Sequence, residues 1–232
     1  MNLVMEAKKV GKRVLRPMLY RFPPVFLSPG GLHLWFEALE ATKNVPGDVV
    51  ELGCYLGGTC AMGARFLEEI RSERRYIAID TFGGFTDDQF KSELDHGGDP
   101  GLRHHFSANT PELARWVMDR HGAAKVKMIQ GDIAALPDEQ LPKRISACLI
   151  DIDLAEPIYV ALNRLYPRLS PGGIIIVDDC DSYTAYKAAI GYERFVSEQG
   201  LPHKIRLGKG VVVKQPEEPR RAAAAGRVAA AS

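Results

Sequence analysis

The sequence predicts an α/β fold: a doubly wound, mostly parallel sheet with an antiparallel hairpin strand near its C-terminal end. Two apolar runs, Ala147 to Ile150 and Ile174 to Val177, are continuous and stop on Asp151 and Asp178. Such runs read as strands buried on both faces of a parallel sheet. Strand-like and helix-like stretches also alternate from Pro46-Gly47 onward, which calls for right-handed crossovers and helices on both faces. Near the end, Lys204 to Leu207 and Val211 to Lys214 flank Gly208-Lys209-Gly210, a hairpin signal.

Taken in order, residues 1–30 form a basic arm, with Lys8, Lys9, Lys12, Arg13, Arg16 and Arg21 against a single acid, Glu6. Val10, Val14 and Met18 recur there at helical spacing, so the arm reads as amphipathic. It is expected to pack on its own domain or on a second subunit, with an anionic membrane surface as the weaker alternative. Residues 31–215 make up the domain. A helix is expected near 32–42, strands near 48–53, 76–80, 126–130, 145–150 and 173–177, and helices near 58–72, 110–121, 156–168 and 182–199. Pro157 falls at a helix start, where its missing N–H costs little. Residues 216–232, rich in Ala and Arg, are predicted to be disordered.

Composition narrows the class of function. The chain has 232 residues, 46% of them hydrophobic, enough for one sizeable core. A net charge of +1 gives no general reason to bind nucleic acid. The four cysteines, Cys54, Cys60, Cys148 and Cys180, form no C-x-x-C pair and read as reduced thiols. No apolar run is long enough to span a membrane, and a cytoplasmic location is expected.

Candidate chemistry collects at the strand ends, where ligands bind in open parallel sheets. The first strand runs into Glu51-Leu52-Gly53-Cys54-Tyr55-Leu56-Gly57-Gly58-Thr59, a glycine turn opening a helix. Glu51, Gly53, Cys54, Gly58 and Thr59 are therefore candidate cofactor contacts. The spacing is not the G-x-G-x-x-G that wraps a pyrophosphate. Glu51 would repel a diphosphate but suits a cationic end such as the amino acid of S-adenosylmethionine. Asp80, followed by Thr81 and Phe82, ends the second strand, where an acid accepts ribose hydroxyls. Gly131-Asp132-Ile133 brings a third acid to the rim, placed to accept an adenine amine. At the fourth and fifth strands Asp151, Asp178 and Asp179 would crowd together if the strands are neighbours. An all-oxygen cluster suits Mg²⁺, Mn²⁺ or Ca²⁺.

The runs Val45-Pro46-Gly47-Asp48-Val49-Val50-Glu51-Leu52-Gly53 and Ile79-Asp80-Thr81-Phe82-Gly83-Gly84-Phe85 resemble the macrocin O-methyltransferase (TylF-like) family. So does the block from Asp151-Ile152-Asp153 through Leu165-Tyr166-Pro167-Arg168-Leu169 and Gly172-Gly173 to Asp178-Asp179, the most specific part. The resemblance spans roughly residues 32–200. It implies a class I, Rossmann-like methyltransferase fold, S-adenosylmethionine as methyl donor, a divalent metal (Mg²⁺ or Mn²⁺), and a sugar hydroxyl of a natural product or polysaccharide precursor as acceptor. By motif, Asp151, Asp178 and Asp179 match the metal positions, and Glu51, Gly53, Asp80 and Asp132 the cofactor contacts. The common D-G-D is Asp151-Ile152-Asp153 here, which keeps both carboxylates.

Asp151, beside both cofactor and metal, is the candidate proton acceptor. His96, His104 or His105, in an insertion after the second strand, is a second candidate, although surface histidines are the simpler account. Tyr183 and Tyr186 are candidate acceptor contacts. A catechol-type phenolic O-methyltransferase would use the same metal logic, and a nicotinamide-dependent oxidoreductase is the alternative from another class. The expected partners are a small-molecule or oligosaccharide substrate and a second copy of the chain.

Overall fold

The computed structural model describes residues 3–181 and 184–215; the predicted tail and Tyr183 lie outside them. Seven strands form one sheet in the order β3-β2-β1-β4-β5-β7-β6. They are β1 (Asp48–Leu52), β2 (Tyr76–Asp80), β3 (Lys127–Gln130), β4 (Ile145–Ile150), β5 (Leu169–Val177), β6 (Ile205–Arg206) and β7 (Lys209–Val213). The first five pair in parallel, and β7 lies antiparallel to both β5 and β6. The chain winds outward from β1 to β3 and returns to β4 on the other side of β1. The topological switch point, where a ligand crevice opens, thus falls between β1 and β4.

Both faces of the sheet are covered, which is why its central strands tolerate uninterrupted apolar runs. Val50, Ile79, Cys148, Ile150 and Val177 pack on one side with Ile158 and Leu162 of α6 (Ala155–Leu165) and Tyr192 and Phe195 of α7 (Ala188–Glu198). Val49, Ala78, Leu149 and Ile176 pack on the other with α2 (Pro29–Ala41), α3 (Gly58–Glu69) and α5 (Pro111–Arg120), through Trp35, Cys60 and Met118. All four cysteines are buried and unpaired.

Four elements differ from the sequence expectations. β5 begins at Leu169 because Ile145 pairs Leu169 before a register shift at Ala147 and Ile174 absorbs the Pro171-Gly172-Gly173 kink. The last helix begins at Ala188, not near 182, because residues 184–187 run irregularly over the sheet end. The hairpin turns on Leu207-Gly208, both at positive φ (49° and 75°), the geometry of a tight two-residue turn. The insertion after β2 contains an unforeseen helix, α4 (Asp87–Asp95), with Thr86 and Gln89 forming a reciprocal capping box.

The basic arm contains α1 (Leu3–Leu19) and packs on its own domain. Lys12 Nζ donates to Tyr55 Oη at 2.8 Å and to the Ala108 carbonyl at 3.0 Å. Arg16 stacks 4.7 Å from the Trp116 ring centroid. Among the described residues no helix is long and apolar enough to cross a membrane.

Candidate active site

The glycine turn after β1 owes its shape to crowding. Gly53 has φ 83°, and a Cβ there would lie 1.8 Å from the Asp151 carbonyl oxygen. Only glycine lets β1 leave the sheet this close to β4. The Gly53 N–H donates to the Ile79 carbonyl at 2.9 Å, so the turn stays pinned to β2.

Asp80 holds the same turn from below. One carboxylate oxygen accepts the Cys54 and Tyr55 N–H groups at 2.8 and 2.7 Å, and the other accepts the Phe82 N–H at 2.7 Å. Burial raises its pKa, and these backbone donors oppose that rise. Asp132 accepts the Ala134 N–H at 2.9 Å and so caps its own turn.

A cavity of about 310 Å³ opens over these strand ends. Gly53, Asp80, Thr81, Gly131, Asp132 and Ile133 line it over β1 to β3, and Asp151, Asp178 and Asp179 line it over β4 and β5. Glu51, Cys54, Gly58, Thr59 and Phe82 do not line it. Glu51 points into the interior, where Tyr76 Oη donates to it and burial raises its pKa to about 7. A Cβ on Gly58 would meet the Pro24 carbonyl oxygen at 2.1 Å, so the arm's end covers this helix start.

At the far end of the cavity the carboxylates crowd as the strand register demands. Ile150 pairs Val177, which sets Asp151 beside Asp178. Burial and then the charge of Asp178 push the Asp151 pKa well up. Asp153 is raised by burial and by Asp179, with which it shares a hydrogen bond. Asp153 and Asp179 both sit in the left-handed region, at φ 65° and 53°, where side chains other than glycine are uncommon.

Lys209, at the start of β7, lies against Asp178 in a direct ion pair, and both side chains are almost completely buried. Burial alone would lower the lysine's pKa, but Asp178, Asp179 and Asp151 together outweigh it and the net direction is up. Asp151, Asp153, Asp178 and Asp179 gather oxygen ligands of the kind a hard divalent ion takes, and Lys209 supplies a positive charge against one of them. Among the described residues, however, no three His, Cys, Asp or Glu side chains stand ready to hold a metal ion. Asp178 is engaged by Lys209, and Asp153 by Asp179.

Several site residues escaped the sequence reading. Tyr55, Phe85 and Phe106 join Tyr186, which the sequence had already singled out, in an aromatic wall to the cavity. The insertion supplies two of these rings, and Phe82-Gly83-Gly84-Phe85 was their clearest signal. Tyr186 Oη lies 2.8 Å from His105 Nδ1. His96 Nδ1 instead lies 2.8 Å from its own helix's Ser92 carbonyl oxygen. Glu93, buried on α4, accepts the Ala155 N–H at 3.0 Å and the Lys187 N–H at 2.9 Å. One side chain thus ties the insertion to the starts of α6 and α7.

A doubly wound sheet with a glycine turn at β1 and an acid at the end of β2 is the frame of the Rossmann-like methyltransferases. The fold matches the solved structure of the O-methyltransferase NovP with a TM-score of 0.66, at 21% identity over 79% of each chain. It also matches the O-methyltransferase TomG from Streptomyces achromogenes, solved in complex with S-adenosylmethionine (TM-score 0.54, 14% identity, 92% of this chain and 91% of that one). Residues 35–208 match the macrocin O-methyltransferase (TylF) family, and the chain belongs to it.

Two of its relatives are natural-product enzymes. Demethyldecarbamoylnovobiocin O-methyltransferase of Streptomyces niveus is 29% identical over 146 residues, 59% of this chain and 54% of that protein. A tetracenomycin 4'-O-methyltransferase of Streptomyces olivaceus, which acts on the 8-demethyl-8-(2,3-dimethoxy-alpha-L-rhamnosyl) compound, is 31% identical over 173 residues, 67% and 63% respectively. The match to this chain thus spans less than two thirds of either relative.

Proposed function

We propose that this protein transfers a methyl group from S-adenosylmethionine to a sugar hydroxyl of a glycosylated natural product or polysaccharide precursor, with Mg²⁺ or Mn²⁺ held by Asp151, Asp178 and Asp179 once the ion replaces Lys209 on Asp178. The observation that carries the reading is a single cavity with two chemically different ends. Gly53, Asp80 and Asp132 would take the donor, the two aspartates suited to ribose hydroxyls and an exocyclic amine. The names of the relatives and the S-adenosylmethionine complex of TomG support that donor.

When bound, the metal would supply acidification and orientation of the acceptor hydroxyl. The protein's own groups do the rest. Asp151 is the proton acceptor, because it lines the cavity where the acidic end meets the glycine turn at Gly53. The aromatic wall of Tyr55, Phe85 and Phe106 excludes water and offers faces for the C–H groups of a sugar ring. His105 fixes the Tyr186 hydroxyl at the rim and so contributes to positioning.

The same wall favours a second reading, a flat phenolic diol as acceptor. Labelled methyl transfer to a panel of glycosides and catechols, with and without EDTA, tests both. Turnover on glycosides that EDTA abolishes is the expected result. Transfer to catechol alone selects the second reading, and undiminished turnover in EDTA removes the metal.

A further inference from the structure

Among the described residues, the four acids Asp151, Asp153, Asp178 and Asp179 make a single ion pair, and Lys209 is its cation. The lysine does not reach the acids through the cavity, which Asp178 lines and Lys209 does not. Its stem runs under the first turn of α2 instead. A Cβ on Gly31 there would stand 3.2 Å from Lys209 Cε and 2.7 Å from Leu27 Cγ, so a glycine keeps the passage open. The pairing of β5 with β7 delivers the head group. Val177 pairs Gly210, and the next residue along each strand sets Lys209 beside Asp178.

We propose that Lys209 is a tethered competitor of the divalent ion: it stands in for the ion on Asp178 until the ion arrives, and it sets how tightly the ion binds. The inference rests on the metal proposed for this site.

Burial explains why a stand-in is needed. The two side chains are only 6% and 10% exposed, and a carboxylate left unpaired at that depth would destabilise the metal-free protein. A dication on the same carboxylate would lie close to the ammonium, and like charges repel strongly where solvent screens them poorly. The two cations therefore alternate. Asp178 keeps its orientation through the exchange, because its Oδ1 also accepts the Asp179 N–H at 2.8 Å. The ion enters from the cavity while the lysine withdraws toward α2, so neither obstructs the other.

Affinity follows from this competition. The ion binds only those molecules in which the pair is open, and its apparent affinity falls by that fraction. A pair closed about nine-tenths of the time weakens the ion roughly tenfold. The lysine thus makes the metal an exchangeable cofactor rather than a permanent one.

Titration of the full chain with Mn²⁺, followed by the electron paramagnetic resonance of the free ion, tests the proposal. Lys209→Met and Lys209→Gln remove the charge and are expected to bind Mn²⁺ roughly tenfold or more tightly than wild type. A second measurement needs no variant. Acetylation of wild type by an amine-reactive ester, located by mass spectrometry, should rise at Lys209 when Mn²⁺ is added and stay level at Lys204 and Lys214. Equal Mn²⁺ affinity in wild type and both variants would overturn the inference alone, as would a Lys209 that stays protected while the ion is bound. If neither wild type nor variants bind Mn²⁺ at about 10 mM, the metal itself is removed and the inference with it.

Discussion

Glu51 and Lys209 are two buried charges with opposite fates. Glu51 has no cation against it, and burial raises its pKa from the ordinary 4.5 to about 7. The folded state therefore prefers the protonated acid. Stability falls as pH rises from about 4.5 to 7 and levels off above, a loss of roughly 3 kcal/mol for a shift of that size. Glu51→Gln keeps an acceptor for Tyr76 and removes the charge. Urea denaturation should find it more stable than wild type at pH 8, with the gap closing by pH 4.5. An equal gap at both pH values would show that the carboxylate is compensated. Lys209 is the reverse case. Lys209→Met leaves Asp178 buried and unpaired, which costs about 3–5 kcal/mol. Millimolar Mg²⁺ should recover part of that loss in a thermal melt and raise the wild-type melting temperature less. Asp151 and Asp178 were legible because each ends an apolar run. Lys209 was not, because an antiparallel pairing of β5 and β7 brings it across from a residue about thirty positions away. Glu51 was read as a cavity contact because nothing in one strand tells which face of a doubly covered sheet a side chain takes.

Elements set the shape around these residues, and the insertion after β2 shows how. Its wall is built from α4 and the chain to Phe106, whose aromatic residues pack on one another rather than on the sheet. Glu93 is the main polar tie, accepting N–H groups at the starts of both α6 and α7. Glu93→Ala leaves two backbone donors without acceptors in the interior, each worth about 1–3 kcal/mol. The expected result is local. Hydrogen exchange should quicken by tenfold or more in residues 86–106 and at the starts of α6 and α7, while β1 and β4 keep their protection. Uniform loss of protection would mean that the insertion is part of the global folding unit. The helix could have been found from Thr86 and Gln89, but the Gly97-Gly98-Asp99-Pro100 run after it masked the signal. The strands were easier. Their apolar period and the Pro46-Gly47 turn survive any tertiary arrangement, whereas the start of α7 is decided by Glu93, nearly a hundred residues upstream.

At the scale of the whole molecule, the order β3-β2-β1-β4-β5 divides one cavity between two halves of the sheet. In the proposed function the donor takes the half over β1 to β3 and the metal the acidic half over β4 and β5, and the halves meet at the switch point, where Gly53 abuts Asp151. The alternation of strands and helices made this strand order legible in the sequence. Its consequence is that the two ligands should be separable by mutation. Asp178→Asn/Asp179→Asn removes oxygen ligands over β5 and leaves Asp132 and the glycine turn untouched. That variant should keep the rise in melting temperature caused by S-adenosylmethionine and lose the rise caused by Mg²⁺. Asp132→Ala should do the opposite, weakening the cofactor's effect by a factor of about ten in affinity, as expected for one lost hydrogen bond to a carboxylate. A ligand that binds only the folded state stabilises it according to its concentration over its dissociation constant, so both effects read directly from titrated melts. If either variant loses both responses, the halves are coupled through the Gly53–Asp151 contact. In that case a conservative change at Ile152, whose side chain also crowds the Gly53 position, should disturb both ligands together.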